Sequence, residues 1–207
     1  MKSIERDTLG GWCMIAGAVS GLVTMAFHPS GGERPALALA VHGLALFGVP
    51  LAFYGAWVLT RRLASHGALS ELALAFYGVS GVATLLAATA SGLMAPHLIA
   101  RAAASAEDAR AAAGSLLHYN YALNQAFAKV LVAASATAIG LWSAEIVRTR
   151  AMKRSSGIVG CAAAGLVLLA LFSGRLVLNV HGFGAIVVVQ SVWIILVGAE
   201  LRRRPSE

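Results

Sequence analysis

"GFGAIVVVQSVWIILVGAEL", Gly182 to Leu201, carries one charged side chain in 20 residues, Glu200 next to its far end. At 1.5 Å rise per residue a helix of this length spans about 30 Å, the thickness of a bilayer's hydrocarbon core. His181 stands before the run, and Arg202, Arg203 and Arg204 close it. An apolar stretch of bilayer length bounded by polar and basic residues is the signature of a membrane crossing.

The same pattern recurs five times toward the N-terminus. Helices are predicted at about 10–27, 36–59, 72–95, 116–147 and 157–172, with the sixth at 182–201. Between the third and fourth lies "ARAAASAEDARAAAG", Ala100 to Gly114, an outer Ala-rich interfacial segment whose alanines favour helix and whose charges favour water. Composition agrees. The 207 residues are 58% hydrophobic and 12% charged, with a mean hydropathy of +0.77, against about 25% charged in an ordinary soluble domain. The predicted fold is an all-α polytopic integral membrane helical bundle, one membrane domain with six transmembrane helices.

The net charge of +7 raises the question of nucleic acid. The basic residues, however, fall in short clusters between apolar runs, at Arg61-Arg62, Arg148 to Arg154 and Arg202 to Arg204, without the aromatic interleaving that stacks on bases. They read as topogenic charges against lipid headgroups, and nucleic acid is excluded. With Lys2 and Arg6 they place both termini in the cytosol, and six crossings also require both ends on one side. The leader mixes Glu5 and Asp7 with Lys2 and Arg6 and precedes no cleavage motif, so the first run reads as a retained helix. An Ala/Gly/Arg-rich chain of this kind suits a bacterial inner membrane. Cys13 and Cys161 lie in separate apolar runs, without metal-type spacing, as buried free thiols.

Val-His-Gly occurs twice, at Val41 to Gly43 and Val180 to Gly182, each time where an even-numbered helix begins at the outer side. His28, His97 and His118 fall at outer helix ends too, whereas His66 sits in an inner loop. His42 lies 19 residues from Arg61 and His181 lies 21 from Arg202, about 28–31 Å of helix. With His28 these form a level set at the outer edge of the hydrocarbon. His97 and His118 lie beyond a full span unless a helix tilts or breaks, and Pro96 is a natural breaking point. Neutral imidazole ligates transition metals and haem. The histidines therefore mark a candidate site for a transition metal or haem b, with His28, His42 and His181 converging and His97 or His118 as further ligands. Asn120, Asn124, Asn179 and Glu33 are nearby supporting groups. In a haem arrangement His42 would pair with His118 or His181.

The fourth helix holds a second candidate. His118, Gln125 and Lys129 share one face at 100° per residue, with Ser143 continuing it, and Asn120, Tyr121 and Asn124 add polar groups. Ionisable residues inside a membrane mark functional sites by default, although a Lys at this depth also reaches headgroups by snorkelling. Gly43, Gly48 and Pro50 are expected to kink the second helix, as in transporters with unwound segments.

Three function classes follow: a metal- or haem-binding membrane protein, a small transporter-like bundle using the polar stripe, or a non-enzymatic membrane subunit docking a protein partner or a second copy at its outer face. No catalytic signature is found, and the only acidic residue in the first outer loop is Glu33, so the sequence leans away from an enzyme without deciding the question, and membrane lipids are the first expected partners.

Overall fold

An apolar chain in lipid must satisfy its own backbone hydrogen bonds, which leaves the helix as the economical solution for each run. The computed structural model describes residues 3–29, 35–64, 68–104 and 106–203. Lys2, Glu33, Arg34, His66 and Arg204, which the sequence pattern assigns to leader, loops and tail, lie outside the described residues. The described chain is a bundle of helices without strands: α1 (Ser3–Ala26), α2 (Pro35–Ala64), α3 (Leu69–Ala88), α4 (Ala95–Ala103), α5 (Glu107–Thr149), α6 (Arg154–Phe172) and α7 (Val180–Leu201). A π-helical turn, Thr89–Met94, joins α3 to α4 and makes them one crossing. Six helices are thereby long and apolar enough to cross a membrane.

Most helices overrun the sequence-based boundaries. The Ala-rich segment 100–114 is divided between the end of α4 and the first two turns of α5. At 43 residues α5 is about 64 Å long, twice a hydrocarbon core, so part of it stands beyond the apolar layer. The second helix is not unwound: α2 runs through Pro50 as one 30-residue helix. The irregularity falls in the third crossing instead. Pro96 has no N–H and its ring crowds the carbonyl four residues back, that of Gly92, and the backbone there takes the wider π turn.

Helices adjacent in sequence pack side by side, and α1 closes the ring against α7. Lipid tails are as apolar as the side chains, so close van der Waals fit holds the seams. Along α1–α2 that fit depends on small residues: a Cβ on Gly17 would meet the Ala52 backbone at 2.9 Å.

One end of the bundle gathers the basic clusters. Arg62 of α2 donates to Asp7 of α1 at 2.9 Å, Arg202 lies 3.4 Å above the Trp12 ring, and Glu200 of α7 accepts from the Lys153 backbone and the Ser156 hydroxyl at the start of α6. The main core lies toward this end, where Trp142 and Trp193 stack at 6.4 Å among Leu59, Leu63, Ile146 and Val197. The Trp142 indole N–H is shared between the Thr60 hydroxyl (3.1 Å) and the Ser70 carbonyl (3.2 Å), tying α5 to α2 and α3. Glu145 is fully buried here and pairs with Arg148 one turn on. The two thiols are free, but Cys161 is exposed on the outer surface of α6 and only Cys13 is half-buried. In lipid a thiol needs no protein cover.

Candidate functional site

The opposite end of the ring is hollow. A cavity of about 510 Å³ opens among the end of α1, the start of α2, the end of α3, the π turn, α4, residues 117–131 of α5 and the start of α7. The volume falls within the range of small-molecule sites. Its wall is mostly apolar, with Met25, Ala45, Ala87, Ala128, Leu131 and Phe183 among the lining, and it carries a belt of polar side chains.

The π turn is held between two of these. From α2, His42 lies directly against Gly92, in space that any Cβ at position 92 would invade. From α5, the Asn120 amide donates to the Ala90 carbonyl at 3.1 Å. Both residues are buried, 6% and 4% exposed. Ala90 also accepts from the Ala95 N–H, the five-residue bond of a π turn. A π turn packed against polar groups is a common feature of functional sites.

The donor and acceptor roles can be read from the partners. His42 Nδ1 is 2.7 Å from the Ala38 carbonyl and His28 Nδ1 is 3.1 Å from the Pro29 carbonyl. A carbonyl only accepts, so each Nδ1 carries the hydrogen, and in a neutral ring Nε2 is then an acceptor. The two rings meet edge to face with centroids 5.0 Å apart. Asn120 must turn its NH₂ toward Ala90, which leaves Oδ1 buried with no hydrogen bond among the described residues. Thr24 is committed to the Val41 carbonyl at 3.0 Å and Asn179 to capping α7 through the Gly182 N–H at 2.8 Å. Asn124, Gln125 and Tyr121 complete the belt.

Of the five histidines expected at outer helix ends, two come together. His28 and His42 line the cavity, while His97, His118 and His181 are outside it. His181 follows Val180 and precedes Phe183, both on the cavity wall, and the helical turn between them sends it outward. The expected set of His28, His42 and His181 is therefore not brought together on the cavity wall, where neither His118 nor His181 stands with His42. Among the described residues no group of three or more His, Cys, Asp or Glu side chains is placed to hold a metal ion.

The polar stripe of the fourth crossing is also divided. The cavity face of α5 is Leu117, Asn120, Tyr121, Asn124, Gln125, Ala128 and Leu131. At 100° per residue these lie within about 100° of Asn124, whereas His118 and Lys129 are turned about 120° and 140° away. Lys129 is exposed, and Ser143 is buried far down the helix, outside the cavity. Gln125 sits at the edge between the two faces. Thr24, Thr84 and Ser91, which sequence reasoning passed over, line the cavity as well. Single hydroxyls in apolar runs give no signal until the helices are assembled.

Neither a protein family, nor a curated protein, nor a solved structure matches this chain.

Proposed function

We propose that this protein is a multi-pass membrane protein that binds a small amphipathic molecule in the cavity at the end of the bundle remote from its basic clusters. The observation that carries the reading is a 510 Å³ apolar chamber whose polar belt includes the buried His42 and Asn120. Buried polar groups in an apolar bundle are costly unless satisfied, and a bound head group satisfies them. Along α5 the polar positions 120–125 give way to Ala128 and Leu131, up to about 16 Å deeper than Asn120, a floor suited to an apolar tail.

The wall offers two imidazole nitrogens and no described carboxylate or thiolate. A metal ion would bring charge into an apolar chamber with nothing to balance it, so the donor set favours a neutral ligand. Release of such a ligand on either side would make the protein a carrier, and retention would make it a binding subunit. In both cases the basic end faces the cytosol, the side on which Lys and Arg accumulate.

The test uses wild-type protein in lipid nanodiscs and tritiated 4-nonylphenol as the probe, with empty nanodiscs subtracted. Saturable binding at one probe per chain, lost in Ala45→Phe because the new ring fills the chamber, is expected. Binding that tracks lipid content alone, unchanged by Ala45→Phe, would overturn the reading.

A further inference from the structure

Around the π turn the hydrogen-bonding polarity of the chamber is weighted toward acceptors. The Nδ1–H of His42, the Nδ1–H of His28 and one N–H of the Asn120 amide are each taken by a backbone carbonyl of the protein. The Thr24 hydroxyl hydrogen is likewise spent on Val41. What remains at the belt from these groups is mainly acceptors, beside the second N–H of the Asn120 amide: the Nε2 atoms of both imidazoles and Asn120 Oδ1, the last of them buried and without a hydrogen bond among the described residues. Three separate backbone segments, the Pro29 region, the first turns of α2 and the π turn, hold the rings and the amide in this sense.

From this arrangement we infer that the chamber selects a hydroxyl-headed amphiphile, an alcohol or phenol with an apolar tail, whose O–H donates to Asn120 Oδ1 beside the His42 and His28 Nε2 atoms. The inference rests on the reading of the cavity as a binding site and adds the sense of recognition. A carbonyl or ether head offers only acceptors and leaves Asn120 Oδ1 unpaired. A hydroxyl head satisfies it and still has lone pairs for Asn124 or Gln125, whose amide groups line the same wall. A site whose buried polar groups are set for one partner rejects the analogue lacking that partner more strongly than an apolar pocket rejects a missing methylene.

The test compares matched pairs that differ by one O-methyl group: 4-nonylphenol against 4-nonylanisole, and 1-dodecanol against its methyl ether. Each displaces tritiated 4-nonylphenol from wild-type protein in nanodiscs, with concentrations expressed as mole fraction in the bilayer so that partitioning cancels. The hydroxyl member of at least one pair should compete about tenfold better or more, the value of one hydrogen bond to a buried acceptor. Preference in the phenol pair alone, in the alcohol pair alone or in both tells which source of the hydroxyl the chamber takes.

In Asn120→Leu the preference should fall below about threefold while apolar contacts persist. His28→Phe, at a half-buried position, serves as a second variant with a smaller loss of preference if Asn120→Leu does not fold. Saturable binding with equal affinity for hydroxyl and ether overturns this inference and leaves the cavity reading standing. Full preference retained in Asn120→Leu overturns the assignment of the acceptor. Absence of saturable binding for every probe overturns the cavity reading and this inference with it.

Discussion

Gly92→Ala is the sharpest perturbation of the site. The π turn presents Gly92 to α2 so closely that a Cβ there would overlap His42 Cβ and Cγ and reach 3.0 Å from Nδ1. No rotamer change of alanine relieves this. Either α2 and the π turn separate, or the imidazole swings away and gives up its 2.7 Å bond to Ala38. Forcing an extra methyl into a packed seam costs about 1–3 kcal/mol. Losing one buried hydrogen bond adds about 1 kcal/mol, because the Ala38 carbonyl keeps its helical partner. The two effects together predict a loss of about 2–4 kcal/mol. Gly43→Ala is the control: it sits next to His42, and nothing lies within 4 Å of the place its new methyl would occupy. It should be neutral or gain up to about 1 kcal/mol from helix propensity. The assay is reversible unfolding in mixed micelles, followed by tryptophan fluorescence, with probe binding measured on the same samples. Gly92→Ala should lower stability and weaken binding together. A Gly92→Ala protein within about 0.5 kcal/mol of Gly43→Ala would refute the packing argument.

Lys129 is exposed and turned away from the cavity, so Lys129→Ala should leave stability within about 0.5 kcal/mol and probe affinity unchanged, both read in the same binding and unfolding assays. Trp142→Phe removes the N–H shared by Thr60 and Ser70 and opens a void beside Trp193. A loss of about 2–4 kcal/mol is expected in the unfolding titration, without effect on the distant cavity. Arg150 ends α5 in the left-handed region at φ 56°, a conformation that suits glycine. Arg150→Gly should raise stability by about 0.5–1 kcal/mol, visible as a later unfolding midpoint.

Gly182 to Leu201 shows how far periodicity and length carry: a run of bilayer length, free of charge until Glu200, becomes the helix Val180–Leu201 within two residues. The gathering of basic clusters at one end is equally legible, and Arg62–Asp7 and Arg202–Trp12 show the residues meeting there. Helix ends are less so, because α4 and α5 continue as helices past the apolar layer, and hydropathy reports the layer, not the helix. For the site, counting residues along each helix places His28 and His42 at one depth, and they do meet. Depth leaves rotation open, and rotation separates His181 from the cavity and Asn120 from Lys129. The π turn has only Pro96 to announce it. Its consequence, a glycine that admits the His42 ring, depends on α2 lying beside it, which no local pattern in the third crossing records.

Photo-crosslinking locates a bound amphiphile in the bundle directly. An alkylphenol bearing a diazirine in its tail is added to the protein in nanodiscs, irradiated, and its adducts are mapped by peptide mass spectrometry. Adducts are expected to concentrate on the chamber wall, at Met25, Ala45, Leu131 and Phe183, and to be suppressed by excess 4-nonylphenol. Adducts spread over the lipid-facing residues Phe47, Leu166, Leu169 and Phe172, indifferent to competitor, would contradict the cavity reading.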